Sequence, residues 1–459
     1  MEARSCGRWR TSSSRSVAKS LRRIRDAKST MVSGIRDSSA AVLNAHFRCK
    51  LRFTGFKRFF SPHAFAAFFW MVSICALAAF APSLQPPVFR STVELVAVDV
   101  QVVDREGLPI TSLTANQFEV ALDGKRRPVV SADLIRYSQS QTRRPRYMMT
   151  ADAPLAAATD RIFILAVDQA SFRTGPARAA AIAARQFIDR LKPDDLVGLY
   201  FYPPSMPLDL THDRVAVRAR LNKIVGLLDP PLSEFHLSLS EVVDITSSDG
   251  DTMARVVQRE CARGDVLCAH QVQAEARAIG GIAELQIAQR FSALSDLLAG
   301  LTRLPGRKTL VLLSGGLLAT DRPSGHPNMR VQTQALGREA AAANTNLYVL
   351  HLDSSFLESY SADSSKINIA TAYRDNTVMR EGLEALAGAA GGALFRIEAG
   401  TPEHAFDRVM RETAAYYLLG LEVADADRDG RPHYINVKVR ERGATVRNRP
   451  LVVVPKTAR

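Results

Sequence analysis

The chain carries no Gly-x-Ser-x-Gly elbow, no His-Glu-x-x-His pair and no phosphate-binding glycine loop, and its nine histidines are scattered without ligand spacing. The nucleophile elbows, zinc hydrolases and nucleotide sites that those motifs build are therefore not written in its local sequence. Cysteine is nearly as scarce, with five in 459 residues. Export would leave two of them, Cys261 and Cys268, and a pair in an oxidising compartment is expected to be bridged. Acidic residues are almost missing from the start of the chain. Residues 1–60 hold 15 Lys and Arg against 3 Asp and Glu, and the remainder holds 45 against 43. The net charge of +14 is thus a property of the leader. A nearly neutral body gives no support to a nucleic-acid-binding surface.

What is present begins with that basic leader, followed by the uncharged apolar run Ala64–Ala81 and then Pro82. Basic flank, apolar core and the small residues Ala76 and Ala78 form a secretory signal with cleavage before Ala79. The same 18 residues are alternatively long enough to stay as a membrane anchor. Either way the body is placed outside the cytoplasm, and Met31 is an alternative start. Cys75 is not a lipidation site, because Ile74 precedes it and apolar residues follow.

Residues 86–140 alternate as β structure. Val96, Val98, Val100 and Val102 share one face, and Phe118, Val120 and Leu122 run into an Asp123-Gly124 turn. These are too few strands to stand alone. Residues 413–455 offer more, with Ile435, Val437 and Val439 alternating with Asn436, Lys438 and Arg440. One β-sandwich built from both chain ends is expected, with an α/β unit at 158–412 inserted between them. In that unit Ile162–Val167 is a continuous apolar strand ending at Asp168, and Ala184, Phe187, Ile188 and Leu191 mark one buried helix face beyond Pro176. Alternating strands and helices predict a doubly wound, Rossmann-like parallel sheet. A helix over 214–228 and a longer one over 283–304 are expected, while 229–280 shows no period and reads as an insertion over the sheet's carboxyl edge.

The stretch from Asp168 to Phe172, the later Leu-Thr-His-Asp at 210–213 and the run 306–316 (GRKTLVLLSGG) resemble a von Willebrand factor type A domain. More narrowly, 89–454 resembles the VWFA-related domain proteins of acidobacterial genomes. The resemblance implies a divalent ion, Mg or Ca, held by an Asp-x-Ser-x-Ser loop, a Thr and a second Asp. Laid on this chain, Asp168 and Thr211 match. Ala170 and Phe172 replace the two serines, Ser171 is out of register, and Gly315 stands where the second Asp belongs. A degenerate metal site follows, and no cofactor is expected.

Three further candidates remain. Asp425, Asp427 and Asp429 with Gly430 match the first half of a calcium loop, but Asn436 falls where its closing Glu belongs, and a hairpin turn explains the same letters. Arg263, Gly264 and Asp265 lie between the two cysteines as an adhesive tripeptide or an exposed turn. Phe172 at the crest of the first loop is either an apolar anchor for a partner or part of the core. The expected function is extracytoplasmic, non-enzymatic binding of a protein partner, with membrane contact only through the N-terminal apolar segment. The alternatives are a metal-dependent adhesion module and an enzyme with an unrecognised site at the sheet's carboxyl edge.

Overall fold

The computed structural model describes residues 95–137, 161–229, 233–322, 324–353, 369–398 and 402–456. All belong to one compact unit, Ser91–Arg459. The basic leader, the apolar run expected to act as a signal or anchor, and the linker expected at 138–160 lie outside the described residues.

Four strands come first: β1 (Val96–Val103), β2 (Phe118–Leu122), β3 (Lys125–Arg127) and β4 (Val129–Arg136). The inserted unit supplies β5 (Ile162–Asp168), β6 (Leu196–Tyr202), β7 (Met206–Thr211), β8 (Lys308–Ser314), β9 (Thr345–Asp353) and β10 (Ala393–Glu398). The chain closes with β11 (Ala415–Leu421), β12 (Pro432–Val439), β13 (Thr445–Arg447) and β14 (Leu451–Val453). Between the central strands run helices α1 (Thr174–Arg190), α2 (Arg214–Leu221), α3 (Leu239–Thr246), α4 (Gly250–Glu260), α5 (Val266–Leu301), α6 (Arg330–Ala342), α7 (Ile369–Ala389) and α8 (Glu403–Glu412).

The central sheet has the order β10-β9-β8-β5-β6-β7 and is parallel except for β7, which runs against β6 at the edge. This is a mixed α/β, doubly wound, Rossmann-like fold, as expected. Both faces of the sheet are covered, which is why β5, β8 and β9 are buried along their whole length. Helix α1 presents Ala177, Ala180, Ala184, Phe187 and Ile188 to one face. The second half of α5 presents Ile287, Phe291, Leu294 and Leu298 to the other.

The two chain ends interleave into antiparallel sheets ordered β13-β1-β11-β4 and β14-β12-β2-β3. Val96 pairs with Leu421, and Val120 with Val437, so each terminal segment completes the other. The valines of β1 meet Val120, Leu122, Tyr417, Leu419 and Ile435 in one core. On the opposite face of β1, Asp99 and Gln101 are buried as well. Gln101 donates to the carbonyl of Glu412 at 2.9 Å and accepts from the Tyr348 hydroxyl at 2.8 Å. The sandwich therefore lays its polar face on the inserted unit.

From Leu239 onward the unreadable stretch 229–280 is largely helical. Ser238 and Glu241 cap α3 reciprocally, Asp249 caps α4, and Asp265 caps α5. Helix α5 begins at Val266 rather than near 283 and runs 36 residues, about 54 Å. Its first turns pack Cys268, Val272 and Ala276 against Ile245 and Val256, a separate small core that blurs any single period. The expected helix over 214–228 ends at Leu221.

Among the described residues no helix is long and apolar enough to cross a membrane. This corrects the expected membrane contact through an N-terminal apolar segment, which is unsupported. The run 64–81 itself lies outside the described residues.

Candidate functional site

Strands β5 and β8 are neighbours at the centre of the sheet, and the chain leaves them towards opposite sides, β5 to β6 and β8 to β9. The crevice at their carboxyl ends is where doubly wound sheets place ligands. Asp168 ends β5 there and Ser314 ends β8. The Asp168 carboxylate is 1% exposed. Its Oδ2 accepts a hydrogen bond from the Ser314 hydroxyl at 3.1 Å and an ion pair from the Arg290 guanidinium. The same guanidinium nitrogen donates to the Gly316 carbonyl at 2.6 Å. Burial pushes the Asp168 carboxyl above its ordinary range, against the pull of Arg290 and Ser314.

The first loop folds back on the third. Ser171 Oγ donates to the Asp168 carbonyl at 2.7 Å and accepts from the Gly315 N–H at 2.8 Å. Phe172 is 1% exposed and belongs to the core of the α1 side. Of its two readings the core holds, which removes Phe172 as a partner anchor. Phe172 and Gly315 depend on each other: a Cβ on Gly315 would lie 2.5 Å from the Ser171 carbonyl oxygen and 3.0 Å from the Phe172 ring. Next to them, His351 on β9 is buried, with Nε2 3.3 Å from the Gly315 carbonyl, and burial lowers its pKa.

Thr211 does not join this group. It ends the antiparallel strand β7 and is level with Val197 at the start of β6, whereas Asp168 is level with Tyr202 at the end of β6. At ~3.3 Å per residue, Val197 to Tyr202 spans roughly 16 Å, the depth of the sheet. Thr211 Oγ1 instead accepts from the Asp213 N–H at 3.0 Å, at the start of α2. The reversal of β7 carried the Leu-Thr-His-Asp run to the wrong edge; Met206, Leu208 and Leu210 alternate with Pro207, Asp209 and Thr211 as a strand does, but alternation does not give a strand's direction.

The other candidates are committed elsewhere. Asp427 forms a two-pronged pair with Arg127, at 2.6 and 2.8 Å, and Asp429 accepts from the Arg431 N–H at 2.7 Å and faces His433 at 3.1 Å. Asp425 is exposed and opens a single 3-10 turn. The three carboxylates of the calcium-like run hold a turn and do not converge. Among the described residues no three His, Cys, Asp or Glu side chains gather as metal ligands. Cys261 and Cys268 are bridged, with Cα atoms 5.9 Å apart. Between them Arg263 is exposed, Gly264 takes φ +82°, and Asp265 is used as the cap of α5, accepting from the Cys268 N–H at 3.0 Å. Its carboxylate caps the helix and stays exposed.

Two features went unread in the sequence. Arg290 falls between Ile287 and Leu294 on the buried stripe of α5, and a cation in such a stripe signals a buried acidic partner. The segment after α2 is clamped on the β5 loop: Leu227 N–H donates to the Gln169 carbonyl and Leu228 N–H to the Phe172 carbonyl, both at 2.9 Å. Gln169 Oε1 accepts from the Val225 N–H at 3.1 Å. A side chain at Gly226 would meet the Arg173 carbonyl at 2.3 Å. This close approach leaves Val225, Leu227 and Leu228 exposed, at 48, 45 and 37%, beside the carboxyl edge.

No family model matches the chain, and no curated protein does. Among solved structures, the crystal structure of the SpRpn10 VWA domain is similar at 10% identity and a TM-score of 0.24, with 54% of this chain and 93% of that chain covered. At that similarity nothing is carried over from it.

Proposed function

We propose that this chain is an exported, non-enzymatic protein-binding module of the VWFA-related kind, whose partner docks on the carboxyl edge without a bridging cation. The observation that carries this reading is the apolar ridge Val225, Leu227 and Leu228, held by backbone hydrogen bonds against the loop that follows Asp168. Large apolar side chains fixed at the rim of a doubly wound sheet are material for an interface, each contributing about 1 kcal/mol when its still-exposed part is covered. The bridged cysteines support an oxidising, extracytoplasmic location. Fold likeness warrants only the class of function.

The test is crosslinking of the full chain in its native envelope, comparing wild type with Leu227→Ser/Leu228→Ser in chelator and in magnesium. The double variant is expected to melt like wild type, since both side chains are exposed, and to lose the crosslinked partner; chelator leaves wild-type capture unchanged. Equal capture by the double variant, or capture that disappears in chelator, contradicts the reading.

A further inference from the structure

A type A fold implies a divalent ion at the crevice between β5 and β8, and the residues present do not fit one. Such an ion needs several oxygen ligands and a net negative set to draw it out of water. Here Ala170 and Phe172 bring no side-chain oxygen to the loop, and Thr211 stands at the far edge of the sheet. Ser171 Oγ is held between the Asp168 carbonyl and the Gly315 N–H. A second carboxylate at position 315 has no room, because the Ser171 carbonyl and the Phe172 ring already fill the space a Cβ would take. Among the described residues of the loops after β5 and β8 one carboxylate remains, Asp168, and it already faces a cation.

We infer that Arg290 is the permanent cation of this edge: its guanidinium, anchored on α5, takes the place of a bound ion between the loops that follow β5 and β8. The geometry supports each part of this. One nitrogen reaches both the Asp168 carboxylate and the Gly316 carbonyl, so a single group joins the two loops. Helix register fixes where that group lies, because Ile287 and Phe291 on either side are packed against the sheet. The pair is formally neutral, and an entering divalent ion would have to displace a guanidinium that cannot diffuse away. The inference does not depend on what the edge binds, so it can fail while the protein-binding reading stands.

The experiment is thermal melting of the full chain in excess chelator and in millimolar magnesium, manganese or calcium, for wild type, Asp168→Asn, Arg290→Met, Arg290→Lys and Arg290→Met/Asp168→Asn. Wild type is expected to melt at one temperature in all conditions. Arg290→Met melts lower by several degrees, Arg290→Lys recovers part of that loss, and the double variant recovers most of it, because the uncompensated carboxylate has gone with its partner. A wild-type melting temperature that rises with a divalent ion and no longer does so in Asp168→Asn overturns the inference. So does an Arg290→Met protein that melts like wild type. If Arg290→Met fails to fold, the wild-type comparison across ions still decides.

Discussion

Asp99, against the amino edge of the central sheet, and Asp168, at its carboxyl edge, are both buried, and the two are treated in opposite ways. At the amino edge Asp99 of β1 meets two arginines, Arg307 at 2.8 Å and Arg449, and Arg449 also reaches Asn344. Burial acts to raise the Asp99 carboxyl, but Arg449 and Arg307 outweigh it and hold the group below its ordinary range. At the carboxyl edge Asp168 meets one arginine, and burial prevails. The amino edge has cationic charge to spare: Lys308 is buried beside it, donates to the Leu304 carbonyl at 2.6 Å, and is pushed down to about 8 by burial. Close by, Glu412 takes both Arg408 and Arg447 at 2.7 Å. The amino edge is thus a weld between sandwich and inserted unit, spread over several ion pairs. The crevice at the carboxyl ends of β5 and β8 holds one balanced pair, Asp168 with Arg290, under two loops and beside an exposed apolar rim.

The comparison breaks most visibly at the weld. Asp99→Ala leaves two buried arginines without their carboxylate, and urea unfolding of the full chain should show a loss of about 3–5 kcal/mol, the range for breaking a buried pair. Arg290→Met should cost about 3 kcal/mol, the lower end of that range, because its side chain is 11% exposed. If Arg290→Met costs clearly more than Asp99→Ala, the carboxyl edge is the stronger anchor and the assignment of roles is reversed. Gly315→Ala sharpens the carboxyl side: the added methyl meets the Ser171 carbonyl and the Phe172 ring, and overpacking of this kind costs about 1–3 kcal/mol. A neutral Gly315→Ala would mean that the loop yields and that space does not exclude a second carboxylate.

The smallest effect is expected in the sandwich. Asp123 at 2.7 Å and Asp429 at 3.1 Å raise the pKa of His433 above its ordinary value. A histidine whose folded pKa exceeds its unfolded one stabilises fully below about pH 6.5, and that contribution fades as pH rises through the folded value. With half-exposed carboxylate partners it should not exceed about 1 kcal/mol. Stability measured from pH 5 to 9 should lose this slope in His433→Gln; an unchanged slope assigns the dependence to other groups.

Much of the fold was legible because it rests on short-range pattern. The apolar run Ile162–Val167 and the alternation of Val96 to Val102 each announced a strand, and lone apolar faces at both chain ends required each other. The site was less legible because its members are set by topology. Thr211 matched a motif by letters, yet the direction of β7 moved it across the sheet. Phe172 read as a crest residue until Gly315, far along the chain, left room for its ring. The helices of 229–280 hid behind two different cores met by one long helix, α5. Arg290 was visible as a charge on an apolar stripe, but nothing in the sequence said which carboxylate it would meet.

The most direct test of the account is calorimetric titration of manganese into the chelator-stripped full chain, beside Asp168→Asn. The account predicts no saturable heat in either protein, since the Asp168 carboxylate is already neutralised by Arg290. Saturable uptake by wild type that is lost in Asp168→Asn would contradict it.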